Sequence, residues 1–279
     1  MLNISILKED PNEMKEYLAT QEKFEREGNF NTDVNENSYE GTLPVTEDFP
    51  YIKKGFINGI KKAIYSTGMR IYTNKICKLF KLEVVGKENL KGIKSAIVTC
   101  NHISKYDSFA VRKAVGINIM FVASDFNNWK GKMGDTARYT GYLPLSGKLS
   151  VMRKFNEAIE YYLNKGKKIL IYPEQAMWRD YKKPRPLKDG AFHYASKHNV
   201  PIIPLFITFR PSGIVDEGIE FYYYTIHILK PIYPQSNLDK KANTEYMRKE
   251  NYTRWKECYE STYNKKLEYT TIDKSKIKI

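Results

Sequence analysis

The chain has 279 residues, 42% hydrophobic and 28% charged, with 46 Lys and Arg against 32 Asp and Glu for a net charge of +14. That composition supplies a sizeable core for one large domain or two small ones, and no apolar run approaches the roughly 18–20 residues needed to span a bilayer. Cys77, Cys100 and Cys258 are too few and too scattered for a disulfide framework or a metal site, which suggests reduced thiols in a cytosolic setting. The first ten residues lack the basic region and long apolar stretch of a signal peptide. The expectation is a chain that is neither secreted nor transmembrane.

Residues 1–50 carry 12 Asp and Glu against 4 Lys and Arg. One helix is predicted there, from Asn12 to Arg26, ended by Gly28-Asn29-Phe30-Asn31; the segment reads as an acidic N-terminal appendage that covers something. Residues 52–81 reverse the balance, with eight Lys and Arg and no acid. Phe56, Ile60, Ala63, Ile64, Met69, Tyr72, Ile76 and Leu79 recur at helical spacing, and Ser66-Thr67-Gly68 predicts a break that would fold residues 51–81 into a basic amphipathic helical hairpin. Cations flanking an apolar face suit the interface of an anionic membrane; the plainer alternative is a surface helix whose apolar stripe packs on the domain.

From Leu82 strand patterns alternate with helix patterns. Strands are expected at 82–86, 96–100, 119–123, 168–172, 202–209 and 221–230, and helices at 108–115 and 154–165, the latter stopped by Gly166. The fold class is therefore α/β, a mostly parallel twisted sheet covered by helices over 82–235. A polar C-terminal helical tail, 236–279, follows with one helix near 243–263. Between the third strand and the next block, Phe126 to Arg138 contains Trp129 and Met133 and reads equally as a substrate-covering lid or as ordinary packing.

The chemistry gathers where the second strand ends and a helix begins, at Cys100-Asn101-His102-Ile103-Ser104-Lys105-Tyr106-Asp107. Open α/β sheets place ligands at such points. A His at the strand end and an Asp five residues on can meet across the turn, so that the carboxylate fixes one ring nitrogen as N–H and leaves the other to take a proton. Two plainer readings compete: Ser104-Lys105-Tyr106-Asp107 fits a helix-capping pattern, and alternation puts Cys100 in the core rather than beside His102 as a nucleophile. The strand 168–172 delivers Glu174 to the same sheet edge. The loop Trp178 to Lys188 then carries five cations and one anion with two prolines, a candidate phosphate or phosphopantetheine site. His193 and His198 read as surface or packing residues on a helix, and His227 as structural.

Asn101-His102-x-x-x-x-Asp107 resembles the His-x-x-x-x-Asp signature of the glycerolipid acyltransferases. Three further blocks in the same order strengthen the likeness: Phe121-Val122-Ala123 through Gly141-Tyr142-Leu143-Pro144-Leu145, then Tyr172-Pro173-Glu174, then Val200-Pro201-Ile202-Ile203-Pro204. The resemblance covers roughly residues 80–232. It implies acyl transfer from a thioester, carried by acyl-carrier protein or coenzyme A, to a lysophospholipid hydroxyl, most simply 1-acyl-glycerol-3-phosphate. His102 would be the general base and Asp107 its orienting partner. Asn101, Glu174 and backbone N–H groups at the helix start are candidates for holding acceptor or oxyanion, and no metal or redox cofactor is called for. The implied location is peripheral, on the cytoplasmic face of a membrane.

The chain departs from the family at the acceptor. Where the third block usually continues Pro-Glu-Gly-Thr-Arg, this chain has Gln175-Ala176-Met177, and Gly147 occupies the place of a second-block Arg. Arg179, Arg185 and Lys188 (the last within a Lys-x-Gly-Ala also seen in the family) are the candidates to supply the missing charge for a phosphate head. The alternative is a different lipid alcohol. A nucleic-acid-binding protein is the rival from another class, suggested by the basic charge and 22 tyrosines, but no recognisable RNA- or DNA-binding signature is present. A hydrolase would need a positioned nucleophile, and no Gly-x-Ser-x-Gly stands near the motif.

Overall fold

The computed structural model describes residues 10–35 and 38–277. The opening nine residues, on which the expectation about a signal peptide rests, lie outside the described residues. The helices are α1 (Pro11–Glu27), α2 (Phe56–Leu79), α3 (Asp107–Val115), α4 (Gly131–Tyr139), α5 (Leu149–Asn164), α6 (Gly190–His198) and α7 (Lys240–Tyr263). The strands are β1 (Glu83–Val85), β2 (Ala96–Thr99), β3 (Met120–Ser124), β4 (Tyr142–Leu145), β5 (Lys168–Ile171), β6 (Ile202–Asp216) and β7 (Ile219–Ile228). They form one seven-stranded sheet in the order β1-β7-β6-β2-β5-β3-β4, in which β6 and β7 pair antiparallel and every other neighbouring pair is parallel. The fold is the expected α/β arrangement, with β2 at the centre.

Alternation along β2 divides the core. Ala96, Val98 and Cys100 pack with Ile76, Leu79, Val111 and Ile226 on one face of the sheet. Ile97 points to the other face, among Phe155, Phe192, Met247 and Trp255 from α5, α6 and α7. The polar-looking C-terminal helix is thus a core element: Met247, Asn251 and Trp255 are fully buried, and the Asn251 side chain accepts a 2.6 Å hydrogen bond from Thr99 at the end of β2. Burying a large side chain of this kind contributes on the order of 2–3 kcal/mol.

The helical hairpin expected over 51–81 is instead one continuous helix of 24 residues. Ser66-Thr67-Gly68 does not break it. The Thr67 hydroxyl donates back to the Ala63 carbonyl at 2.9 Å, and a single mid-helix glycine costs only about 1 kcal/mol. The C-terminal third buries Thr73, Ile76, Cys77 and Leu79. The first two and a half turns present Phe56, Ile57, Ile60 and Ile64 outward, Phe56 at 83% exposure. Within the segment 126–138, helix α4 lies against α2.

Two features of the fold build the region around the motif. The strand β6 runs past the expected end to Asp216 and returns through Glu217 and Gly218, both at positive φ (49° and 85°), as a tight two-residue hairpin demands. The acidic appendage and the chain's C-terminal end also meet over the loop that follows β5. Phe30, Ala176, Trp178, Tyr181 and Tyr269 form a separate buried cluster, tied by Trp178 Nε1–H to the Thr32 carbonyl (2.9 Å), Thr271 Oγ1–H to the Glu25 carbonyl (2.7 Å) and Tyr269 Oη–H to the Pro184 carbonyl.

Candidate active site

His102 follows the carboxyl end of β2, and Asp107 opens α3. The His102 ring meets the Asp107 carboxylate at 2.9 Å, Nδ1 to Oδ2. The same oxygen accepts the backbone N–H groups of Ile103 (2.8 Å) and Ser104 (3.1 Å). Asp107 is therefore turned back into the loop, where its bond from the Ser104 N–H is also the one a capping carboxylate would accept, so the pairing with His102 stands beside a capping contact. Its carboxyl is fully enclosed. Burial pushes its pKa up, opposed by the bonds from His102 and the two loop amides. With Nδ1 engaged, the imidazole keeps Nε2 as its second nitrogen, and the side chain is 22% exposed. A ring so held can take a proton from an approaching hydroxyl.

The ring is also fixed from its flat side and from its own backbone. Tyr172 stacks on it with centroids 4.0 Å apart and planes at 13°. The His102 N–H donates to Glu174 Oε2 at 2.9 Å, and the His102 carbonyl accepts from the Trp178 N–H at 2.9 Å. Cys100 is buried in the core, its thiol pushed well up by burial and by the nearby carboxylates of Asp107 and Glu174. It is no nucleophile for this site. Among the described residues no three His, Cys, Asp or Glu side chains are grouped to hold a metal ion.

The residues named as substrate-binding candidates divide sharply. Asn101 is fully buried and clamps β6, donating to the Ile207 carbonyl (3.0 Å) and accepting the Ile207 N–H (2.7 Å). It holds β2 and β6 in register and cannot touch an acceptor. Glu174 is 1% exposed and accepts from the His102 N–H, the Arg185 N–H and the Arg185 guanidinium, so it positions the motif loop. Arg185 is likewise 1% exposed. Its guanidinium donates to Glu174 Oε2 (2.8 Å) and to the carbonyls of Phe30 (2.9 Å), Ala176 (2.6 Å) and His102 (3.3 Å). Those bonds turn both terminal nitrogens inward and remove Arg185 from any phosphate-binding role. Lys188 is exposed and away from the cavity beside the motif; Arg179 lines it.

That cavity, 750 Å³, lies next to the motif loop, between α1, the turn Ser104–Tyr106, the loop after β5 and the far end of the β6–β7 hairpin. His102 does not line it; Ser104, Tyr106 and Asp180 do. Its walls are aromatic (Tyr17, Phe80, Tyr106, Phe221, Tyr222, Tyr224) and acidic, with Glu13, Glu16, Asp180, Asp216 and Glu220 against two cations, Lys105 and Arg179. Asp180 sits in left-handed backbone, φ 55°, its carboxyl raised from the usual 3.8 to about 6 by burial. Tyr172 is signalled by its place beside Pro173-Glu174, whereas Asp180 and the α1 wall are not signalled, because they depend on how distant segments meet.

Residues 81–208 match the family model described as Acyltransferase. An uncharacterized acyltransferase of Schizosaccharomyces pombe is 28% identical over 137 residues, 46% of this chain, and the chain spans about half the length of that relative (47%). The crystal structure of the 1-acyl-sn-glycerophosphate (LPA) acyltransferase PlsC from Thermotoga maritima shares the fold, with a TM-score of 0.56 over 80% of this chain and 89% of that one at 17% identity. The segment that resembles the Acyltransferase family model carries the His102–Asp107 pair at the head of its first strand-to-helix turn.

Proposed function

We propose that the protein is an O-acyltransferase that moves a fatty acyl group from an acyl thioester, on acyl-carrier protein or coenzyme A, to the hydroxyl of a lipid alcohol. The observation that carries this reading is the 2.9 Å contact between His102 Nδ1 and Asp107 Oδ2, with the ring still reachable from solvent. His102 Nε2 takes the acceptor proton as the oxygen attacks the thioester carbonyl. Asp107 holds the ring and offsets the imidazolium charge, and the thiolate leaves with the proton returned by His102. Of the two acceptor classes, the charge of the cavity favours a lipid alcohol without a phosphate monoester. Two of the three cations expected to hold that phosphate do not reach the cavity, and five carboxylates line it. A phosphate dianion there would face a net like charge.

The test is an acyl-transfer assay over a panel of lysolipids and neutral lipid alcohols with purified protein. Transfer to a neutral or zwitterionic acceptor faster than to lysophosphatidic acid is expected; the reverse order would return the phosphate reading. His102→Ala should lose about two to four orders of magnitude in rate with the fold retained, and a folded variant of near-wild-type rate would remove His102 from the chemistry. We also propose that α2, with its outward apolar residues and flanking cations, seats the protein on an anionic membrane surface.

A further inference from the structure

The basic charge of this chain collects at a second cavity, on the opposite edge of the sheet from His102. It encloses 360 Å³ between the N-terminal half of α2 and the amino ends of β3, β4 and β5. Gly55, Asn58, Gly59, Lys62 and Ser66 supply one wall and share one face of the helix. The strands that separate it from the His102 edge are four or five residues long, about 13–17 Å at the usual rise. The two cavities are therefore distinct sites.

Among the described residues its charged lining is entirely cationic: Lys53, Lys62, Arg138, Lys165 and Lys167, with no Asp or Glu. Arg138 is paired with Asp135 at 2.9 Å. Among the described residues the four lysines have no carboxylate partner. Lys53 is depressed to about 8 by burial and by the charges of Arg138 and Lys62, and Lys62 is lowered by burial and by Lys167. Gathering like charges in a partly closed space is unfavourable, and an anion among them would relieve it. The helix adds to the field. It begins at Gly55 without a side-chain cap, so its first-turn N–H groups and the positive end of its dipole lie at the cavity rim.

We propose that this cavity binds a phosphate-bearing ligand, with the lysine ammonium groups and the first-turn amides of α2 as donors. Lysines act on phosphate as mobile point charges, and the five tyrosines of the lining, Tyr51, Tyr139, Tyr142, Tyr161 and Tyr162, shape a slot for the group that carries it. The phosphate can come from an anionic phospholipid headgroup or from a soluble organic phosphate. The outward-facing apolar residues of α2 bring a headgroup within the molecule's reach.

The test uses the full chain and two probes: inorganic pyrophosphate followed by calorimetry, and flotation with phosphatidylcholine vesicles with and without phosphatidic acid. Lys62→Gln/Lys167→Gln removes two cavity cations. Lys256→Gln/Lys266→Gln removes the same charge from the exposed surface in and just after α7, away from both the cavity and α2. The cavity variant should lose at least about tenfold in affinity for one or both probes, as losing two charge-assisted contacts implies, while the control stays near wild type. Loss with vesicles assigns a lipid headgroup, and loss with pyrophosphate alone assigns a soluble phosphate. Equal weakening in both variants, or in neither, overturns the proposal. A melting temperature for each variant guards against unfolding, and both readouts are independent of acyl transfer.

Discussion

Asp107, fully buried, and Asp180, partly buried, are carboxyls on the same sheet edge with different fates. Asp107 gathers three donors on one oxygen, so its charge is stabilised where the imidazole needs it; Asp107→Asn, which cannot hold the same tautomer, should cost the enzyme about as much as in a Ser-His-Asp triad, on the order of 10⁴ in rate. A drop in melting temperature with rate retained would reassign Asp107 to the architecture of the loop. Asp180 has Arg179 beside it, Nε to Oδ2 at 3.7 Å, and its raised pKa of about 6 has a consequence for stability. Below about pH 4 the native and unfolded chains both hold the proton. Between 4 and 6 the unfolded chain releases it while the native chain keeps it, so stability falls as pH rises, by up to about 3 kcal/mol for two pKa units. Asp180→Asn removes that loss, and asparagine tolerates the positive φ. Denaturant unfolding at pH 4 and pH 7.5 should show the variant level with wild type at the lower pH and more stable at the higher. Parallel pH dependence of the two proteins would show that Asp180 ionises normally.

The loop after β5 illustrates how an element built for structure can look, in sequence, like a binding site. Its density of Lys, Arg and Pro invited a phosphate, yet Arg185 is folded inward as a strut joining Phe30, Ala176, His102 and Glu174. Arg185→Ala would strand the Glu174 carboxylate, and breaking a buried pair in this way costs about 3–5 kcal/mol; Arg185→Lys keeps the charge but loses the planar fork. Both should lower the melting temperature and, by loosening His102, lower kcat more than they raise KM. An acceptor KM effect with the melting temperature unchanged would restore Arg185 to substrate binding. Six of the seven strands were legible because each is a short apolar run between turn residues, while β4, four residues with a proline, was not; the His-x-x-x-x-Asp pair was legible because five residues span one strand-to-helix turn. The single α2 was not legible, since Ser66-Thr67-Gly68 is weak helix chemistry that a long packed helix tolerates. Nor was the role of Arg185, because its partners stand 9 to 155 residues away in sequence.

Across the whole molecule, the charge is polarised along the strands. The cavity by His102 carries the carboxylates of α1 and the β6–β7 hairpin, and the opposite cavity carries only cations. Five of the chain's cations thus stand away from the proposed chemistry, on the side where α2 begins. Phe56, Ile57, Ile60, Ile64 and Ile71 all lie outward, between 47% and 83% exposed, on the helix face turned away from Lys62 and Ser66. Anionic lipid should draw this side in, and apolar burial should then hold it, up to about 1.5–3 kcal/mol for each large side chain that leaves water. The two contributions separate by salt. Headgroup attraction weakens as the Debye length shrinks, whereas apolar insertion does not. Phe56→Ser/Ile60→Ser/Ile64→Ser should leave the melting temperature close to wild type, because these side chains are exposed, yet abolish flotation with anionic vesicles at high salt and reduce it at low salt. Wild-type flotation by the triple variant at both salt concentrations would mean that α2 does not enter the lipid, and that the cations alone account for any membrane attachment.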